Sequence, residues 1–222
     1  MFTATKENPF EGPHQKSRTV TAGAEPENAK GAIIMVHGRG ATAESILTLA
    51  NDFENIGQLH LAAPQASQNT WYPYSFLMPT EKNEPGLASG LQAIFNIMAN
   101  LEDKGISRDK IIFLGFSQGA CLASEFVARH PAKYGGLISF SGGLIGDAVE
   151  ADNYSGSLDG TPYFTGCSDV DSHIPEERVH KSAEVFEKLG ADVTKKIYPG
   201  MPHTIIQDEI AEASKIINRV IG

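Results

Sequence analysis

The chain has 222 residues, of which 41% are hydrophobic and 20% charged, an ordinary composition for a soluble globular protein. Its 27 acidic residues outnumber its 18 basic residues and give a net charge of −9, which excludes a general attraction to nucleic acid or to an anionic membrane surface. Cys121 and Cys167 are too few for a disulfide framework, and we expect reduced thiols. No signal-peptide core or apolar run long enough to span a bilayer is visible, so we expect a cytoplasmic protein.

Strand and helix patterns alternate along the chain. Residues 1–17 are polar and are predicted to form a flexible arm, 18–21 to form an edge strand, and 18–222 to form one domain. Apolar runs predict strands at 31–38, 58–64, 110–117, 135–142 and 161–168, and a further strand is predicted at 192–199. Helical spacing of apolar residues predicts helices at 42–52, 87–101, 118–130, 175–189 and 204–220. This order predicts an α/β fold with a mostly parallel central sheet and helices on both faces.

The segment "GFSQG" lies between a predicted buried strand and a predicted helix. Gly115 and Gly119 flank Ser117 in the pattern Gly-x-Ser-x-Gly. In a sharp strand-to-helix turn, side chains at the two glycine positions would collide with neighbouring backbone, and the serine hydroxyl is exposed at the carboxyl edge of the sheet. The segment predicts a nucleophilic serine at Ser117.

A serine nucleophile needs a base, and the base needs an acid to orient it. His203 follows the last predicted strand in the loop "IYPGMPH" and is the predicted base. Asp169 and Asp171 both follow the strand before it, and Asp169 is the preferred acid because it lies nearer the strand end, with Asp171 as the alternative.

A tetrahedral intermediate also needs hydrogen-bond donors for its oxyanion. The backbone amide of Gln118, the residue after the nucleophile, is one candidate. The amide of Arg39, in "VHGRG" after an early strand, is the other, whereas His37 is expected to be a core or supporting residue. The same stretch, "GRGATA", resembles a dinucleotide fingerprint, but the next strand ends in "HLAAPQ" without the required acid.

The long aromatic connection at 64–86 is the predicted wall of the substrate site, because long irregular connections in compact domains are usually functional. The alternative is that its aromatic residues pack the loop onto the core. The predicted substrate-binding residues are Trp71, Tyr72, Phe76, Leu77, Met78 and, from the loop beside the acid, His173.

The stretches "VHGRGAT", "WYP", "GFSQGA", "SGG", "GCSD" and "YPGMPH" together resemble the phospholipase/carboxylesterase family of the α/β-hydrolase fold, which includes relatives of acyl-protein thioesterases. The resemblance implies a lidless fold with no cap domain, a nucleophile at Ser117, an acid at Asp169 and a base at His203. It also implies oxyanion amides at Arg39 and Gln118. The spacing "VDSHIP" departs from the usual family pattern and leaves Asp171 open as the acid.

The sequence as a whole predicts a serine carboxylesterase acting on small, soluble esters through an acyl-enzyme. We expect no cofactor and no metal, a small-molecule ester as partner, no nucleic acid and no stable membrane insertion, with a homodimer left open. One alternative is a long-chain acyl thioesterase or lysophospholipase. Another is a catalytically silent binding module of the same fold.

Overall fold

A central sheet of seven strands organises the computed structural model, which describes residues 1–222. The strands are β1 (Thr19–Gly23), β2 (Ala32–Val36), β3 (His60–Pro64), β4 (Ile111–Phe116), β5 (Gly136–Phe140), β6 (Pro162–Ser168) and β7 (Asp192–Tyr198). Their order is β1-β3-β2-β4-β5-β6-β7. Only the edge strand β1 pairs antiparallel with its neighbour, so the predicted mostly parallel sheet is confirmed.

The central strands are apolar along their whole length because both faces of the sheet are covered. Every residue of β2, β3 and β5 is buried. A strand that is covered on both faces has no side exposed to solvent. Its sequence is therefore apolar throughout and does not alternate between apolar and polar residues. The edge strands β1 and β7 are largely polar and partly exposed.

Five α-helices cover the two faces of this sheet. They are α1 (Ala43–Leu47), α2 (Gly86–Asp103), α3 (Gln118–Arg129), α4 (Glu176–Lys188) and α5 (Gln207–Ile221). The helix predicted at 42–52 is α1 followed by a 3-10 turn at Thr48–Asp52. Helices α2, α3 and α4 contribute to one apolar cluster, with Leu91 and Phe126 in it, and α1 and α5 contribute to a second, with Ile46 and Ile217.

The N-terminal segment is packed against the body of the protein, which corrects the expectation of a flexible arm. Ala4 and His14 are buried. The backbone N–H of Ala4 donates to Nε2 of His130 at 3.0 Å, and the N–H of His14 donates to Oγ of Ser89 at 2.9 Å. The segment is polar in composition, but these backbone hydrogen bonds hold it against the body of the protein.

The carboxyl ends of the parallel strands all meet at one edge of the sheet. Ser117 follows β4 there, Asp169 and Asp171 follow β6, and His203 follows β7. The β5–β6 connection contains only a short 3-10 turn, Ala151–Asn153, and builds no cap over this edge. None of the helices combines the length and apolar character that crossing a membrane requires.

Candidate active site

Ser117 occupies a strained turn between β4 and α3. Its backbone φ is 55° and ψ is −120°, a conformation that a residue with a side chain rarely adopts. The turn is held in place because the N–H of Ser117 donates to the carbonyl of Phe140 at 2.9 Å. Strain of this kind persists only where the surrounding structure enforces it, and it is concentrated at functional sites.

The two glycines around Ser117 are required by close backbone contacts. A Cβ at Gly119 would lie 2.1 Å from the carbonyl oxygen of Val36. A Cβ at Gly115 would lie 2.5 Å from the backbone nitrogen of Ala120. Both distances are far below van der Waals contact and both involve backbone, which cannot rotate away. The strand, the turn and α3 can approach so closely only with glycine at both positions.

His203 reaches Ser117 from the loop between β7 and α5. Its Nε2 lies 2.9 Å from Oγ of Ser117, within hydrogen-bond distance. The imidazole is held between two rings, with centroids 4.9 Å from Phe116 and 4.9 Å from His173. A serine hydroxyl bonded to an imidazole nitrogen is the arrangement in which the ring can take up the hydroxyl proton.

The carboxylate that bonds to His203 is Asp171 and not Asp169, so the preference for Asp169 is wrong. Oδ2 of Asp171 lies 2.6 Å from Nδ1 of His203. Asp169 directly follows β6 and still pairs with the end of β7, where its N–H donates to the carbonyl of Tyr198. Its Oδ1 accepts a hydrogen bond from the N–H of Gly200 at 2.7 Å, which ties down the loop that carries His203. Proximity to the strand end therefore directs Asp169 towards the neighbouring strand instead of towards the imidazole.

The side chain of Asp171 is fully buried, and its carboxylate oxygens accept several hydrogen bonds. Its Oδ1 accepts from the N–H groups of His173 at 2.8 Å and Ile174 at 3.1 Å. Burial by itself raises the pKa of Asp171, but the hydrogen bonds from His203 and from the two amides outweigh burial and hold the pKa below its ordinary value. The acid is therefore ionised at neutral pH and can hold the imidazole in one orientation.

Two backbone N–H groups lie at the edge beside Ser117 without an acceptor in the protein. Gln118 is the first residue of α3, where N–H groups have no partner within the helix. Arg39 lies in the loop after β2, and its N–H makes no hydrogen bond. The Gln118 side chain is turned inwards, where Oε1 accepts from the N–H of Trp71 at 3.0 Å and Nε2 donates to the carbonyl of Tyr72 at 2.9 Å. The predicted oxyanion amides are thus free for a ligand, and Gln118 also fixes the neighbouring wall.

His37 is a buried supporting residue, as expected. Its Nε2 accepts from the N–H of Ala66 at 3.1 Å, and its Nδ1 therefore carries the proton and donates to the carbonyl of Gly38 at 2.8 Å. Burial lowers the pKa of His37, so the ring is neutral at pH 7. These bonds hold the loop that presents Arg39.

An open cleft of about 480 Å³ lies over Ser117 and His203. Of the six residues predicted to contact substrate, Tyr72, Phe76 and His173 line it. Tyr74, from the predicted wall segment 64–86, also lines the cleft, together with three side chains that the sequence prediction missed, namely Phe116, Cys121 and Ile174. Phe116 could have been found from its position, since the last residue before the turn must lie at the sheet edge.

The other three predicted wall residues do not line the cleft. Trp71 has no exposed surface, and its Nε1 donates to the carbonyl of His37 at 2.9 Å, so it packs the connection onto the core. Leu77 also packs against the core, and Met78 is on the outer surface with 40% of its area exposed. The 64–86 connection therefore fulfils both predictions made for it. Trp71 packs it onto the core, and Tyr72 and Phe76 form a wall of the cleft.

Comparisons with known proteins agree with this architecture. The family model for phospholipase/carboxylesterase matches residues 16–221. A solved phospholipase/carboxylesterase from Dyadobacter fermentans is 39% identical with a TM-score of 0.87, over 100% of this chain and 99% of that chain. Acyl-protein thioesterase 1 from Debaryomyces hansenii is 28% identical over 91% of this chain and 95% of its own length. The corresponding protein of Saccharomyces cerevisiae is 27% identical over 90% of this chain and 96% of its own length. The chain therefore belongs to the phospholipase/carboxylesterase family of the α/β-hydrolase fold and is a serine hydrolase that acts on ester bonds.

Proposed function

We propose that this protein is a carboxylesterase that hydrolyses small, soluble carboxylic esters through an acyl-enzyme on Ser117. The observation that carries the proposal is the chain of two hydrogen bonds, 2.9 Å from Ser117 to His203 and 2.6 Å from His203 to Asp171, beneath an open cleft. These distances lie within the range in which a base can act on a nucleophile. A catalytically silent binding module of the same fold would not need these three side chains to be joined by hydrogen bonds.

In the first half of the reaction, Oγ of Ser117 attacks the ester carbonyl while Nε2 of His203 takes up the hydroxyl proton. Asp171 keeps the proton on Nδ1 of His203 and stabilises the imidazolium that forms. The N–H groups of Arg39 and Gln118 stabilise the oxyanion. When the tetrahedral intermediate collapses, the bond to the alcohol breaks and His203 protonates the departing oxygen.

In the second half, water attacks the acyl-enzyme. His203 takes a proton from the water as it attacks the acyl carbon, and a second oxyanion is held by the same two amides. The bond from the acyl carbon to Oγ of Ser117 then breaks, and His203 returns the proton to the serine. The acid is released and the enzyme is regenerated with no other reactant than water.

The shape of the cleft favours short substrates. Nothing in the β5–β6 connection covers the site, and the wall mixes two tyrosines with Pro73 and polar side chains. A long acyl chain needs a continuous apolar channel, because each buried CH₂ group contributes about 0.8 kcal/mol only where water is excluded.

The alternative is a thioesterase acting on longer acyl chains, and its support is the similarity to acyl-protein thioesterases over about nine-tenths of the chain. Phe76, Phe116 and Ile174 give the cleft an apolar portion that could accept part of such a chain. We rank this function second because the β5–β6 connection builds no cap over the cleft, and the apolar residues are shared with tyrosine, histidine and arginine side chains.

Covalent labelling tests the proposed mechanism. A fluorophosphonate probe should label the wild-type protein once, and Ser117→Ala should abolish labelling and lower turnover by about 10⁵–10⁶. Ser214→Ala, on the far helix α5, should leave both unchanged. Retention of near-wild-type esterase activity by purified Ser117→Ala would disprove the proposal.

Acyl-chain preference separates the two candidate functions. The substrates are p-nitrophenyl esters from acetate to palmitate, below their micellar concentrations. We expect kcat/KM to be greatest for the short chains. Values that rise steadily beyond about eight carbons would favour the long-chain function, since each added CH₂ would then be gaining buried contact.

A further inference from the structure

The guanidinium of Arg39 is a fixed, unpaired cation at the rim of the cleft. Nη1 donates to Oγ1 of Thr70 and to the carbonyl of Pro73, both at 3.0 Å, and Nη2 donates to the carbonyl of Tyr74 at 2.7 Å. All three acceptors are uncharged, and none of the salt bridges of the protein includes Arg39. The side chain is thus held in place while its positive charge is not neutralised by the protein.

The guanidinium retains donors for a ligand. It carries five N–H groups, and the three hydrogen bonds leave one on Nε and one on Nη2 without a partner. Nε and Nη2 share one edge of the planar group, where a carboxylate can accept two parallel hydrogen bonds. A carboxylate has a charge opposite to that of the guanidinium, and its two oxygens can accept hydrogen bonds from the two free N–H groups.

Nothing acidic in the cleft competes for this cation. The residues that line the cleft include Arg39, His173 and His203 but no aspartate or glutamate. Asp171 lies beneath His203 and its side chain is fully buried. The net charge of −9 repels anions at long range, but charges more than about 10 Å away are largely screened at 0.1 M salt. Arg39 is the only lysine or arginine among the residues that line the cleft, so an anionic group there can contact this cation directly.

We propose that the preferred substrate is an ester bearing a carboxylate, and that the Arg39 side chain binds that carboxylate. The inference rests on the proposed function, because the backbone N–H of the same residue is assigned to the oxyanion. An arginine side chain places its guanidinium roughly 6 Å from its own backbone. Because the guanidinium and the oxyanion amide belong to one residue, the length of the arginine side chain limits how far the carboxylate of a substrate can lie from the scissile carbonyl.

Two matched pairs of esters test this assignment and separate the acyl side from the alcohol side. Monomethyl glutarate and methyl pentanoate differ in the acyl part, whereas γ-acetoxybutyrate and butyl acetate differ in the alcohol part. In each pair a carboxylate replaces a terminal methyl group. The quantity measured is the ratio of kcat/KM for the anionic ester to that for the neutral ester, by acid release in a pH-stat.

We expect the wild-type ratio to be about tenfold or more in one of the two pairs, since hydrogen bonds to charged groups are the strong ones. Arg39→Gln should reduce that ratio to about one, and Arg39→Lys, which keeps the charge but not the planar fork, should retain part of it. The matched control is Arg219→Gln, an exposed arginine beside Asp192 at the opposite end of the sheet, which should leave the ratio unchanged.

A ratio near one in both pairs of the wild-type protein, or a preference that survives in Arg39→Gln, would overturn the inference. Equal losses on neutral and anionic esters in Arg39→Gln would also overturn it, because Arg39 would then only support the wall at Pro73 and Tyr74. If the four esters were not hydrolysed while the fluorophosphonate still labelled Ser117, the inference about Arg39 would be wrong. The proposal that Ser117 is the nucleophile would be retained. Absence of both hydrolysis and labelling would reject the proposed function and the inference together.

Discussion

Asp171 and His203 are joined by a hydrogen bond of 2.6 Å between Oδ2 and Nδ1, across the carboxyl ends of β6 and β7. The aspartate side chain is fully buried, and the histidine side chain is 20% exposed. The imidazole can therefore meet substrate on its Nε2 side while its Nδ1 side is held by an ionised group that water does not reach. This hydrogen bond shows that Asp171, and not Asp169, is the carboxylate that holds His203.

Replacing the two aspartates separately should give unequal effects. Asp171→Asn should lower turnover on the order of 10⁴, because an amide no longer holds the imidazole in the required tautomer. Asp169→Asn should cost less than about tenfold, since the remaining amide oxygen can still accept from the N–H of Gly200. Steady-state kinetics on one short ester, with circular dichroism to check folding, measures both. A larger loss in Asp169→Asn would reassign the acid.

The turn at Ser117 should not tolerate a methyl group at Gly119. Gly119→Ala should destabilise the protein by about 3 kcal/mol or more, because the new Cβ would lie 2.1 Å from the backbone oxygen of Val36. Gly57→Ala is the matched control, since no atom lies within 4 Å of its added Cβ, and it should change stability by less than about 0.5 kcal/mol. Urea unfolding of the three proteins gives the comparison. Equal stability of Gly119→Ala and wild type would contradict the packing described for this turn.

Glu209 in the first turn of α5 should make stability depend on pH near neutrality. The side chain is buried, Oε2 accepts from the N–H of Ile206, and Oε1 has no partner. Burial, helped by the neighbouring charge of Asp208, raises the pKa of Glu209 from 4.5 to about 7. The folded protein then holds a proton that the unfolded chain has released, so stability falls as pH rises from about 4.5 to about 7.

Glu209→Gln should remove this dependence. The variant should be more stable than wild type at pH 8 by about 1–3 kcal/mol and within about 0.5 kcal/mol of it at pH 5. Glu212→Gln, on the same helix, should give no such gain, because Glu212 forms ion pairs with Lys196 and Lys215. Thermal unfolding at the two pH values provides the measurement. A pH-independent difference between Glu209→Gln and wild type would mean that Glu209 is ionised in the folded protein.

Both cysteines should be unreactive in the native protein. Cys121 and Cys167 have no exposed surface, and burial raises the pKa of each thiol to about 12. Because the thiolate is the reactive form, Ellman's reagent should detect no thiol in the folded protein and two after unfolding in guanidinium. Lys133→Cys, at a position with a 61% exposed side chain, should add one fast-reacting thiol as the control. Rapid reaction of Cys121 in the folded protein would show that the cleft wall opens around this residue.

The sequence by itself determined the α/β architecture, the position of Ser117 at the strand-to-helix turn and the position of His203 after the last strand. Short continuous apolar runs bounded by glycine or polar residues favour strands covered on both faces, and glycines at the two positions around Ser117 favour a sharp turn. Strand burial and turn geometry depend on the few residues that form each strand or turn, so short stretches of sequence reveal them. The order of these elements is read directly from the chain.

Only the tertiary structure decided which aspartate meets His203 and which aromatic residues line the cleft. Asp169 and Asp171 both follow β6, and a difference of two residues in an irregular loop directs one carboxylate to Gly200 and the other to His203. Trp71 and Tyr72 are likewise adjacent, but only Tyr72 lines the cleft. Loop side chains have no fixed period to set their direction, so their contacts depend on the strands and loops that the rest of the chain brings beside them.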